Sequence, residues 1–186
     1  MRLAPEQIWA ANGSNEVMLH LLLAFAGPGR TVMSFTPTYS MYHEYARDTD
    51  STWVEAPRTE DFSLDLDRID AAVAEHRPAI ILLASPNNPT GTALTEAELR
   101  AVLEAAKGNG PADAEGSDSL VVVDEAYGEF RREGVRSALE LLADFDNLVV
   151  SRTMSKAFGA AGLRLGYLGA GTQVVDQIRI VRLPYH

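Results

Sequence analysis

Residues 79–91 read AIILLASPNNPTG, and this stretch decides the fold. Its first six residues are apolar throughout, without the apolar–polar alternation of a strand that wets one face. Such a run suits a strand buried on both sides, as in a parallel sheet covered by helices. Two prolines, two asparagines and a glycine then close it in a tight loop. Proline fixes φ and removes a donor, while Asn and Gly favour turn geometry. Thr95 and Glu98 follow with capping-box spacing, each able to satisfy the other's backbone donor, and open a helix over 95–107.

The same unit recurs on both sides. TVMSF (31–35), LVVV (120–123), LVVS (148–151) and LGYL (165–168) read as strands, and 53–56 as a weaker one. Helical periodicity predicts 15–26, where Val17, Leu21 and Ala24 share a face beside Leu22 and Phe25, and where Pro28 and Gly29 stop it. Further helices are predicted over 41–47, 66–76 (Leu66, Ile69, Val73), 137–142 and 173–182. The alternation predicts an α/β domain. It is a doubly wound, mostly parallel sheet with helices on both faces, joined by right-handed crossovers, in one unit over 1–186. Residues 107–119 (KGNGPADAEGSDS) are polar and Gly-rich, and read as an exposed flexible loop within a helix-to-strand connection. No internal repeat is present.

The 186 residues are 46% apolar and 23% charged, close to the globular average. Cysteine is absent, which excludes a disulfide scaffold, a thiolate zinc site and a cysteine nucleophile. His20, His43, His76 and His186 stand at no metal-ligand spacing, so no metal site is expected. The net charge of −10 argues against a cationic nucleic-acid surface. The longest apolar-rich stretch, 19–26, is far too short to span a bilayer. The first residues also lack the apolar run of a signal peptide. A cytoplasmic protein with neither nucleic-acid nor membrane partner is the expectation.

In an open α/β sheet, ligands bind beyond the carboxyl ends of the strands. Four polar clusters fall there. Asn88 lies in the SPNNPTG loop. Asp124 and Tyr127 follow the LVVV strand; a carboxylate there must be solvated, capped or paired with a cation, and Asp124 suits either a helix cap or a cation's partner. Ser155 and Lys156 follow LVVS, with Arg164 eight residues on. Lys156 reads as a solvated charge or, if partly buried, as a neutral amine for Schiff-base chemistry. Arg164 reads as a surface ion pair or as a fork for phosphate. Gly13, Ser14 and Asn15 open the first helix, as an N-cap or as an anion site of backbone N–H groups, with Glu16 compensating the helix dipole. Tyr39, after the first strand, is either a core tyrosine or a ring to stack on a ligand.

One ligand would use all of these groups. It needs a phosphate for 13–15, Ser155 and Arg164, an aldehyde for Lys156, and a basic ring nitrogen for Asp124. It also needs a phenolate-like oxygen for Tyr127 and Asn88. Pyridoxal 5′-phosphate carries them.

The strings SPNNPTG (85–91), DEAYGEF (124–130) and SRTMSKAFGAAGLRLGY (151–167) resemble the fold-type I aminotransferases. PTYSMY (37–42), DEAYGEF and SKAFGAAGLR (155–164) look most like the branch that acts on L-histidinol phosphate with 2-oxoglutarate as acceptor. The resemblance covers nearly the whole chain and implies the large domain that holds pyridoxal phosphate. It implies that Lys156 bonds the cofactor aldehyde and then moves a proton at the substrate α-carbon. Asp124 would keep the ring nitrogen protonated. Tyr127 and Asn88 would hydrogen-bond the ring oxygen, and Tyr39 would stack on the ring. Ser14 and Asn15 would join Thr153, Ser155 and Arg164 around the phosphate.

The resemblance also implies an N-terminal arm, a C-terminal small domain with an arginine for the substrate, and a homodimer. Neither segment has a counterpart in these residues, and Arg47 on a predicted helix does not replace that arginine. The expectation is a truncated large domain, with small-molecule amino donor and keto-acid acceptor as partners of the parent enzyme. Two alternatives stand beside it: another fold-type I enzyme, such as an aromatic aminotransferase or a phospho-amino-acid decarboxylase, or a fragment that binds cofactor without turnover.

Overall fold

The apolar runs form the centre of one seven-stranded sheet. The computed structural model describes residues 3–182; His186, one of the histidines set aside above, lies outside the described residues. In chain order the elements are β1 (Ile8–Ala11), α1 (Ser14–Phe25), β2 (Thr31–Thr36), α2 (Met41–Asp48), β3 (Thr52–Pro57) and α3 (Leu66–His76). Then follow β4 (Ile80–Ala84), α4 (Glu96–Ala105), β5 (Leu120–Asp124), β6 (Leu148–Thr153), β7 (Gly166–Ala170) and α5 (Thr172–Val181). The spatial order is β1-β7-β6-β5-β4-β2-β3. Strands β2 to β6 run parallel, and β7 runs antiparallel to both β6 and β1.

Both sides of the sheet are covered, which is why the central strands carry no polar face. Ile80, Leu82, Val122 and Val149 pack with Val17 and Leu21 of α1, Tyr42 of α2 and Ile178 of α5. Their neighbours Ile81, Leu83, Val121 and Val150 point the other way, onto Ile69 and Val73 of α3 and Leu99 and Leu103 of α4. The doubly wound, mostly parallel sheet expected from the sequence is the observed fold. The chain moves outward from β2 to β3, then returns to set β4 on the other side of β2. At such a reversal the loops leave in opposite directions and open a crevice.

Three local features differ from the sequence reading or go beyond it. Strand β1 was not foreseen: IWAA is short, and half of it is alanine, a residue depleted in strands. It forms by pairing with β7, so tertiary contact overrides propensity. The helix expected over 137–142 is instead a 3-10 turn, Ala138–Leu141. The Ala138 N–H donates to the buried Glu125 carboxylate at 2.7 Å, which fixes the turn's first donor against the sheet. Third, the polar stretch 107–119 is a loop with internal hydrogen bonds: Gly110 N–H donates to Ser117 O at 2.8 Å, and Gly108 N–H to Asp118 Oδ1 at 2.8 Å. Arg30 adds an ion pair to Asp113 at 2.7 Å. The Thr95–Glu98 capping box forms, and the Glu98 carboxylate also accepts from Leu64 N–H at 2.7 Å, joining α4 to the chain just before α3.

Candidate active site

Beyond the carboxyl ends of β2, β4, β5 and β6 lies a cleft of about 180 Å³. Its walls bring together Ser14 and Asn15 from the start of α1, Tyr39 after β2, Asn88 after β4, and Asp124 and Tyr127 at the end of β5. Thr153, Ser155, Lys156 and Arg164 come from β6 and the segment after it. These residues, each singled out from the sequence, face this one space although they span positions 14 to 164; Gly13, also singled out, is not among its walls.

Asp124 is its electrostatic centre. The side chain is buried at the last position of β5, in register with Ala84 on one side and Ser151 on the other. Tyr42 OH donates to its Oδ2 at 3.2 Å, and Ala126 N–H donates to its Oδ1 at 3.1 Å. Burial pushes its pKa up to about 6; the two hydrogen bonds and the Lys156 charge oppose the rise, and the neighbouring Glu125 adds to it. The carboxylate thus closes a local turn through Ala126 N–H rather than capping a helix, and it also lines the cleft.

The start of α1 makes the opposite wall. Glu16 Oε2 accepts from Asn12 N–H at 2.6 Å, holding the chain as it enters the helix. Gly13 has φ of 92°, and a β-carbon there would lie 2.5 Å from Arg164 Nη2. Gly166 of β7 packs so closely on the Gly13–Ser14 peptide that any β-carbon would overlap the Ser14 nitrogen. Arg164 donates from Nη1 to Ala161 O at 3.2 Å, a backbone partner rather than a carboxylate. First-turn N–H groups lack intrahelical acceptors, so this wall sets a cation beside backbone donors, an arrangement suited to an anion.

Lys156 is exposed, whereas its reading as a Schiff-base amine expected partial burial. Its Nζ sits 5.4 Å from the centre of the Tyr127 ring. The reason is local. After β6 the chain leaves the sheet, and the segment carries Phe158 and Leu163, which are 53% and 64% exposed. Residues 156–159 and 161–165 are all exposed. Thr153 is buried, and its Oγ1 accepts from Ser155 N–H at 3.2 Å. Tyr39 is half-buried and meets the edge of Tyr42 at 5.5 Å between ring centres and 88° between planes.

Four residues of this region were not singled out by sequence reasoning. Tyr42 carried one signal, its position at the start of the predicted helix 41–47, three residues after Tyr39. Asn87 joins two site loops, donating from Nδ2 to Pro37 O at 3.0 Å and to Thr90 Oγ1 at 2.8 Å. Glu125, 2% exposed, accepts from Arg152 Nη2 at 2.6 Å, Arg131 Nη1 at 2.9 Å and Ser137 Oγ at 2.8 Å. It ties the segment after β5 to β6, on the face of the sheet opposite Asp124. Ser151 is wholly buried, and its hydroxyl has no hydrogen-bond partner. No sequence pattern marks either Glu125 or Ser151 as distinct from its neighbours.

Comparison with known proteins gives a consistent result. The family described as aminotransferase class I and II matches residues 1–186. The histidinol-phosphate aminotransferase of Bifidobacterium adolescentis is 56% identical over 187 residues, covering 100% of this chain and 48% of that protein. Among solved structures, histidinol-phosphate aminotransferase from Sinorhizobium meliloti in complex with pyridoxal-5′-phosphate superposes with a TM-score of 0.83 at 25% identity, covering 96% of this chain and 45% of that one. Aspartate aminotransferase from Thermus thermophilus with maleate superposes with a TM-score of 0.84, also at 25% identity, over 96% and 45%. The chain spans about half the length of these relatives. On the match along its full length, this chain belongs to the aminotransferase class I and II family.

Proposed function

We propose that the chain is the cofactor-holding part of a pyridoxal-5′-phosphate-dependent aminotransferase of histidine biosynthesis, acting on L-histidinol phosphate with 2-oxoglutarate as amino acceptor. The observation that carries this reading is the single cleft in which a lysine amine, a buried carboxylate and a helix-start anion site converge. The 56% identity to a histidinol-phosphate aminotransferase supports the substrate, whereas the fold serves an aspartate aminotransferase equally well.

The residues fit the cofactor. The space at Gly13, which a β-carbon would fill, leaves the Arg164 guanidinium beside the free N–H groups of α1, a donor set suited to a phosphate dianion. Asp124, ionised at neutral pH, matches a cationic ring nitrogen. When bound, pyridoxal phosphate supplies an electrophilic aldehyde and a protonated ring that accepts an electron pair from the substrate carbon. Asp124 would hold the proton at that ring nitrogen. Lys156 would hold the group through its aldehyde and would hold and move the proton at the substrate α-carbon. Tyr127 and Asn88 would hold the ring oxygen, and Tyr39 would pack against the ring. Ser14, Asn15, Thr153, Ser155 and Arg164 would hold the phosphate.

The parent enzyme is proposed to be a cytoplasmic homodimer. Exposed Phe158 and Leu163 beside the cleft support burial of this segment by further protein. The exposure of Lys156 favours a second reading for the chain by itself: cofactor binding without turnover. Absorbance spectroscopy with added pyridoxal phosphate separates the readings. A visible band lost in Lys156→Ala, and bleached by L-histidinol phosphate, supports the aminotransferase; a band that histidinol phosphate leaves unchanged supports the binding fragment. No band at all contradicts both.

A further inference from the structure

Resting on the cofactor reading above, we propose that Tyr42 is a positioning residue of this site: its hydroxyl orients the Asp124 carboxylate toward the ligand ring, while its ring edge seats Tyr39. Two independent contacts carry this. The hydroxyl donates to Asp124 Oδ2 at 3.2 Å, and the Tyr42 ring meets Tyr39 edge-on at 5.5 Å. One side chain therefore touches both the group at the ring nitrogen and the group on the ring face.

The burial of Tyr42 makes its hydroxyl informative. Tyr42 is 1% exposed and packed in the core, where Phe would fill the same volume. A buried hydroxyl is costly unless it is bonded, and Asp124 is the acceptor it finds. With Ala126 N–H on Oδ1, the two donors fix the carboxylate plane at both oxygens and leave lone pairs for a third donor from the cleft. The charged and titratable groups facing Asp124 are Tyr42 and Tyr45 from α2, Glu125 next to it in the chain and Lys156 after β6. Among them only Tyr42 bonds the carboxylate directly. Its hydroxyl favours the ionised acid, and the acid in turn holds the Tyr42 proton in place, raising that phenol well above its ordinary value together with burial.

The test is pyridoxal-phosphate titration of the chain across pH, read by absorbance, beside carbon-13 NMR titration of the Asp124 carboxyl without cofactor. In Tyr42→Phe, affinity near neutral pH is expected to fall about tenfold, the size of one hydrogen bond to a charged group. The pH below which affinity is lost, and the NMR midpoint, should both move upward. If the Phe variant does not fold, 3-fluorotyrosine at position 42 keeps the shape with a more acidic donor, and the midpoint should move downward. An unmoved midpoint with unmoved affinity overturns the proposal while leaving the cofactor reading intact. Absence of binding by the unsubstituted chain overturns the cofactor reading and the inference with it.

Discussion

The guanidinium of Arg164 occupies the space that a side chain at Gly13 would take, with a hypothetical β-carbon 2.5 Å from Nη2 and 3.2 Å from Cζ. The two residues are far apart in sequence but meet in one corner at the start of α1, the corner proposed above to hold the phosphate. Because Gly13 also has φ of 92°, alanine there is strained as well as crowded. Gly13→Ala should weaken pyridoxal-phosphate binding by at least about tenfold and lower stability by about 1–3 kcal/mol. Ligand titration and thermal unfolding check the two effects separately.

The Glu125 cluster makes a prediction about stability rather than chemistry. Its carboxylate holds Arg131, Arg152, Ser137 and the Ala138 N–H together out of solvent. Removing one partner of a buried pair strands the others. Glu125→Ala should therefore cost about 3–5 kcal/mol in urea unfolding, with Glu125→Gln losing less because the amide oxygen still accepts. Equal stability of Glu125→Ala and the unsubstituted chain would contradict this role.

The Asp124 carboxyl sets a pH dependence in the cofactor-free chain. Its folded-state pKa of about 6 lies above the ordinary 3.8. Between these values the folded chain binds the proton more tightly than the unfolded chain does. Stability therefore falls as pH rises through that window, by about 3 kcal/mol for this one group. Asp124→Asn removes the cost, so at pH 8 the variant should resist urea better than the unsubstituted chain. At pH 4 that advantage should vanish, and cofactor affinity should be much reduced at pH 8. Urea titrations at the two pH values decide it.

How much could be read beforehand depended on how local the cause was. Strands β4, β5 and β6 were legible because two-sided burial writes an uninterrupted apolar run. The site loops were legible because polar residues at the ends of such strands need a reason. Strand β1 was not legible, since only its partner β7 makes Ile8–Ala11 extended. Nor was the turn at Ala138–Leu141, whose form depends on a carboxylate from β5. The exposure of Lys156 escaped the sequence for the same reason: burial depends on what covers a segment, and residues 156–165 encode only the segment. Tyr42 was half legible, through its nearness in the chain to Tyr39, but its bond to Asp124 spans 82 positions.

Lys156 as the residue that bonds pyridoxal phosphate is the central claim, and the sequence offers a built-in control. Its lysines are Lys107 and Lys156. Lys107 pairs with Glu104 at 2.8 Å and lies over the Phe145 ring, away from the cleft. The most direct measurement is borohydride reduction of the chain with stoichiometric pyridoxal phosphate, followed by peptide mass spectrometry. The expected result is one reduced adduct, on Lys156, with Lys107 and the N-terminal amine unmodified. An unmodified Lys156, or an adduct divided equally between the two lysines, would contradict it.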